Sequence, residues 1–247
     1  MLRLTSPRRS PQLGFTMIEI LISTTILMLA MGGIVLFLAQ ELRVYYYDSN
    51  RLSVNHDIRK FTQDLARDVD SASYFMIFPD YSTRISNSKD GNVLNGGSGD
   101  FLLLVSCAYC VPDSSGNPSV NGTTYTGLTL GKNYIYRMVG YYRDTTGSTT
   151  TPPTGPVRRV QYDFATPADP TAAANQPTPI ATLMNSYLPT SAQTTNPIVV
   201  QLAQGLAAGT LFYNYGQVAV LVRAQIQENG NLKNAVNTYT FTVAPRG

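Results

Sequence analysis

Two residue spacings in this chain could carry chemistry. The first is Glu19, a lone carboxylate at the front of a run, Ile20 to Gln40, that contains no charged side chain. An acid carried into a bilayer costs a few kcal/mol on insertion scales (about 3), so an intramembrane Glu asks for a partner that offsets its charge. The second is Cys107-Ala108-Tyr109-Cys110. A C-x-x-C can be a redox pair, half of a zinc site or a disulfide. There is no second ligand pair, His56 is the only histidine, and the strand-like Phe101 to Val105 precedes the cysteines rather than a βαβ unit. For a domain outside the cytoplasm the first expectation is a structural disulfide between Cys107 and Cys110, with two free thiols as the alternative.

Nothing else in the sequence has the pattern of a catalytic device. No metalloprotease helix, P-loop or dinucleotide fingerprint occurs. Gly96-Gly97-Ser98-Gly99 ends in Asp100 and misses a nucleophile elbow. A Ser-His or Cys-His pair would have to use His56, which falls on a helical stretch as a polar-face or boundary residue. Asp90-Gly91-Asn92 lacks the spacing of an EF-hand and reads as a turn. The expectation is a non-enzyme without cofactor or metal.

The elements that position Glu19 begin with a basic leader. Residues 1–14 hold Arg3, Arg8 and Arg9, no acid, and the helix-hostile Pro7 and Pro11. About 20 apolar-dominated residues at about 1.5 Å rise then cover a hydrocarbon core of roughly 30 Å. Basic residues ahead of the span place the N-terminus in the cytoplasm and the remainder outside. A cleaved secretory signal, cut near Ala30-Met31-Gly32, would leave Ile34 to Leu38 as a naked apolar terminus and Glu19 unexplained. A plain signal anchor leaves the acid equally unexplained.

Gly14-Phe15-Thr16-Met17-Ile18-Glu19 followed at once by an apolar helix resembles the N-termini of type IV prepilins and pseudopilins. The resemblance implies cleavage between Gly14 and Phe15 by prepilin peptidase and N-methylation of Phe15. Glu19, fifth in the mature chain, would neutralise the terminal amine of a neighbouring subunit during stacking. Two opposite charges in low dielectric offset much of each other's desolvation, and a misdocked subunit leaves one of them buried alone. Leu36 stands where major pilins carry a helix-breaking proline, and Gly32-Gly33 offers a weaker soft point. Asn133-Tyr134-Ile135-Tyr136-Arg137, Gly140-Tyr141-Tyr142-Arg143 and Thr242-Val243-Ala244-Pro245-Arg246 resemble the large minor pilins of the PilW type, related to J-type pseudopilins.

With 247 residues, 43% hydrophobic and 13% charged, the chain can hold one sizeable domain beyond its anchor. The net charge of +3 comes from the three leader arginines, since 18 basic residues stand against 15 acidic ones. The mature side chains are balanced, and nucleic-acid binding has no support from charge.

Past the span, Val54, Ile58, Phe61, Leu65, Val69 and Ala72 recur every three or four residues on one helical face. Arg59, Lys60, Asp64, Arg67, Asp68 and Asp70 lie between them and are assigned to a solvated face. Tyr45-Tyr46-Tyr47 suits the interfacial aromatic belt. A helix from Phe15 to about Phe75 would be roughly 90 Å long. Strand-like runs follow at 101–105, 133–142, 157–164, 197–202, 217–227 and 235–243, with Asn229-Gly230-Asn231 as a hairpin turn between the last two. The stretch 82–100 reads as a loop, and 165–196 as an insertion with a short helix at 180–187.

The expected organisation is a leader at 1–14, a transmembrane and assembly helix at 15–40, an amphipathic continuation at 41–78 and a β-rich head at 79–247. The fold class is α+β, a long helix packed on an antiparallel sheet in the pilin layout. The resemblance implies a minor pilin or pseudopilin that inserts in the bacterial inner membrane, meets other major or minor pilins through its helix and helps initiate or cap a pilus or type II secretion pseudopilus. The alternative is a membrane-anchored adhesion or binding module.

Overall fold

The computed structural model describes residues 16–82, 84, 96–171, 179–228 and 235–246. Helix α1 runs from Met17 to Asp70, so Gly32 and Gly33 lie inside continuous helix. The chain divides into two compact units after Tyr46. In the first unit every described residue is exposed, among them Leu29, Leu36 and Phe37. Such a surface is a helix without its surroundings, because apolar side chains on all faces of a helix call for lipid or other helices. The hydroxyls of Thr24 and Thr25 donate to the carbonyls of Ile20 and Leu21 and expose no unpaired donor to that environment.

The second unit contains the sheet. In chain order its strands are β1 (Tyr74–Phe78), β2 (Ser98–Gly99), β3 (Phe101–Tyr109), β4 (Val111–Pro112), β5 (Pro118–Val120), β6 (Thr123–Thr124), β7 (Asn133–Arg143), β8 (Thr154–Ala168), β9 (Ile198–Gly205), β10 (Phe212–Tyr215), β11 (Ala219–Glu228) and β12 (Ala235–Val243). Helix α2 (Pro179–Tyr187) lies between β8 and β9. Nine strands form one antiparallel sheet in the order β1-β3-β7-β8-β9-β11-β10-β2, and β12 pairs with β11. Strands β4, β5 and β6 make a small separate sheet. All six expected strands are present, and the α+β class stands.

The helix ends earlier than its sequence suggests. Residues 41–78 were expected to continue α1, but the last turn closes at Asp70, and Ser73 N donates to Val105 O at 2.8 Å. Tyr74 to Phe78 is a strand paired with Val105 to Phe101. The cause is local composition. Ser71 donates its hydroxyl to the Asp68 carbonyl, diverting a helix-end acceptor, and Tyr-Phe-Met-Ile-Phe is an aromatic-rich run that fits a pleated surface.

Alternation along the central strands divides the core in two. Leu102 and Leu104 of β3 and Val139 and Tyr141 of β7 join Val54, Phe61, Leu65 and Val69 of α1 and Ala72 just past its end. Burying Phe61 or Leu65 contributes about 2 kcal/mol each by apolar transfer. The neighbouring residues Phe101, Leu103 and Val105, with Met138 and Tyr142, point the other way. That second face packs against Leu183, Met184 and Leu188, from α2 and the residue following it. A sheet covered on both faces explains why Phe101 to Val105 is apolar without interruption.

Candidate functional site

The first described residues form a closed helix start. Thr16 N and Thr16 Oγ1 both donate to Glu19 Oε2 at 2.9 Å, and Glu19 N donates back to Thr16 Oγ1 at 3.4 Å. This is a capping box, in which Thr at the cap and an acid three residues on satisfy each other's backbone amides. The acid also sits where the helix dipole favours negative charge. Only Oε2 is engaged, and Oε1 has no hydrogen-bond partner among the described residues. Glu19 can therefore hold its own helix start with one oxygen and present the other. The sequence reading pairs Glu19 with a neighbour's amine and leaves out Thr16. The Thr-x-x-Glu spacing was the available signal. Gly14 and Phe15 lie outside the described residues, as does the rest of the leader.

Past the apolar run, Tyr45 and Tyr46 are exposed with their rings edge to face at 5.9 Å. His56 is exposed on α1, as a polar-face residue should be.

Asp68 departs from its assignment to the solvated face, since it is only 4% exposed. Its Oδ2 accepts from the Tyr141 hydroxyl at 2.6 Å and from Arg159 Nε at 2.8 Å, which ties the last turn of α1 to β7 and β8. Position 68 falls three residues after Leu65 and four before Ala72, inside the apolar stripe, and that spacing could have revealed it. Burial and the neighbouring carboxylate push the Tyr141 phenol far above its ordinary value.

The other residues of the Gly140 to Arg143 segment are equally structural. Tyr142 stacks on Tyr81 with ring centroids 4.0 Å apart and donates to Gln193 O at 2.6 Å; burial raises its phenol to about 12. Buried Arg143 donates to Asp100 Oδ2 at 2.6 Å and to the carbonyls of Pro153 and Gly209 at 2.7 Å. Asp100 Oδ1 in turn accepts from Leu211 N at 3.0 Å. The residue that spoiled a nucleophile elbow is thus the counter-ion of a buried arginine.

The cysteines correct the disulfide expectation, because Cys107 and Cys110 are both free thiols. Cys107 is still within extended β3, where three residues span about 10 Å and successive side chains alternate faces. A disulfide needs its Cα atoms within roughly 7 Å. Cys107 packs against the α2-side core and Cys110 against Val120 and Tyr134. Burial raises the Cys107 thiol to about 11, leaving it a poor nucleophile. Among the described residues no group of three or more His, Cys, Asp or Glu could hold a metal ion. The Asp90 to Asn92 turn lies outside them.

Residues 9–35 match the family model for the prokaryotic N-terminal methylation motif. No curated protein and no solved structure matches the chain. The matched segment contains the end of the leader, the Gly14-Phe15 junction, the capping box and most of the apolar run. Together with the helix-plus-sheet fold it supports a type IV pilin-like protein, processed by prepilin peptidase and anchored by a single apolar helix.

Proposed function

We propose that the chain is a minor type IV pilin or pseudopilin, a subunit that works by insertion and packing rather than catalysis. The carrying observation is the methylation motif spanning the start of a helix whose third residue is an acid with one oxygen unengaged among the described residues. In this reading residues 1–14 are removed after Gly14, Phe15 supplies the methylated amine, and Glu19 of a neighbouring subunit accepts it. Residues 15–40 make the contacts within the inner membrane and then the fibre, and the head lies outside the cytoplasm. The large head, with its long connections at 144–153 and 169–197, would crowd identical neighbours. That favours a low-copy place at the tip or in an initiation complex.

Cleavage after Gly14 leaves the Phe15-Thr16 peptide bond intact, so the Thr16 amide still donates to Glu19 and the mature end keeps its cap. Mass measurement of the membrane-extracted chain should find an N-terminus at methylated Phe15. A chain starting at Met1 would instead indicate a simple anchor carrying a binding module. Glu19→Ala should insert and be cleaved, yet be at least tenfold depleted from sheared filaments. Normal incorporation of that variant would refute the counter-charge role.

A further inference from the structure

Strand β12 is an open edge of the large sheet. It pairs with β11 through nine consecutive residue pairs without a bulge, and it has no second neighbour among the described strands. Open edges are ordinarily blunted by shortness, charge, proline or a bulge. The strands at the two ends of the sheet order are protected, since β2 is two residues long and β1 has Met76, Ile77 and Phe78 buried. Ala235 to Val243 is long and contains neither a charged residue nor a proline.

The hydrogen bonds of β11 fix which backbone groups of β12 are free. Arg223 N donates to Leu211 O at 2.9 Å, and Arg223 O accepts from Leu206 N at 3.0 Å, so Arg223 turns both groups toward β9 and β10. Residues of an antiparallel ladder turn alternately to opposite neighbours. Val222 and Ala224 therefore turn to β12, where they pair with Phe241 and Tyr239. The residues between these on β12, Val236, Thr238, Thr240 and Thr242, direct their amides and carbonyls away from β11, and all four are exposed. Tyr239 and Val243 point into the α1-side core and Phe241 packs against it, so the threonine side chains lie on the opposite face. Arg223 stands opposite Thr240 on that face. It is exposed, and its guanidinium has no ion pair or hydrogen bond among the described residues.

We propose that the free edge of β12 takes up an extended segment of a different protein as a further strand of the sheet. A row of outward amides and carbonyls at every second residue is complementary to another extended backbone. The added strand carries an acid opposite Thr240, two strand spacings or about 10 Å from Arg223, a gap that the long arginine and a glutamate close over the small threonine. Opposite Tyr239 and Phe241 it carries apolar residues, which lengthen the α1-side core. A second copy of β12 does not meet this requirement, because Ala235 to Val243 has no acid to offer Arg223. The inference concerns the second unit alone and is independent of leader cleavage and fibre assembly.

The test uses the full-length chain in mild detergent and a fluorescent peptide of alternating Thr and Val with one central Glu in a Thr position, read by anisotropy. This peptide should bind at least about tenfold more tightly than one with a central Lys. Methylating its Thr and Glu amides, which face β12, should abolish binding, whereas methylating the Val amides, which face away, should spare it. The amides of Thr238, Thr240 and Thr242 should exchange hydrogen rapidly in the free chain and at least about tenfold more slowly with the peptide bound. Thr240→Pro removes one outward donor at a position an edge strand tolerates and should weaken binding about tenfold at an unchanged unfolding midpoint. Arg223→Glu should reverse the preference between the Glu and Lys peptides, and it tests the same edge should the proline variant fail to fold. Binding that ignores which amides are methylated, or that does not distinguish Glu from Lys, would overturn the proposal. So would slow exchange at the three threonines in a chain that is dimeric without peptide, which would mark the edge as a contact between copies.

Discussion

Glu19 has two tasks that substitutions can separate. Thr16→Ala removes the cap but keeps the charge, and caps of this kind contribute about 1 kcal/mol. Glu19→Gln keeps an acceptor for the Thr16 amide but removes the charge. If the charge directs assembly, Glu19→Gln should be excluded from fibres nearly as fully as Glu19→Ala, whereas Thr16→Ala should enter at a reduced level; immunoblots of sheared filaments would read both. The acid and its glycine junction were legible in the sequence, because a charge in an apolar run stands out. The cap is harder to read, because a short-range reciprocal bond leaves no mark on hydropathy. A second residue-scale prediction concerns alkali. Cys107 is raised from near 9 to about 11 and Tyr142 from near 10 to about 12, both chiefly by burial. Each folded pKa exceeds the unfolded one, so the contribution is complete below about pH 9 and lost as pH rises toward 12. Unfolding midpoints measured from pH 8 to 12 should fall through that window, less steeply in Tyr142→Phe. A slope unchanged by that substitution would contradict the account.

At the level of elements, backbone proximity separates glycines that look alike in sequence. Gly155 opens β8 at an irregularity in its pairing with β9, and a Cβ there would lie 1.9 Å from the Asp144 carbonyl oxygen. Gly33 lies in α1 with nothing within 4 Å of the same position. Gly155→Ala should destabilise the head by about 2 kcal/mol or more, while Gly33→Ala should stabilise the helix by about 1 kcal/mol. Thermal unfolding of the full chain in detergent would test the first, and helix content by circular dichroism the second. The strands were readable because their β-branched and aromatic runs are bounded by Gly, Pro and Asn. The boundary at Asp70 was not, because Ala72 fits both the helical stripe and the turn that follows it. Asp68 was misplaced for a related reason: charge suggested solvent, and only the partners supplied by β7 and β8, more than 70 residues away, make its burial tolerable.

For the molecule as a whole, the sequence indicated one helix against one face of a sheet, and the structure adds a cover on the opposite face. Leu183 and Met184 fall in the short helix expected at 180–187 and Leu188 just after it, but which surface they close depends on long-range topology that periodicity does not carry. A contact between the two ends of the head has a consequence in time. Thr62 Oγ1 and the Tyr239 hydroxyl lie 2.6 Å apart across 177 residues of chain, and Arg143 bridges segments that end at Gly209. Contacts of such separation form late, because the entropy of closing the loop precedes any gain. Phe61 packs against both Tyr141 of β7 and Tyr239 of β12, so its cover on α1 is complete only once the last strand is in place. Chains truncated before Ala235 should therefore remain protease-sensitive throughout the head, and restoring residues 235–247 should protect it in a single step. Gradual protection as the chain lengthens would show that earlier strands fold alone. The final nine-residue strand would then act as the clasp that closes the head over α1.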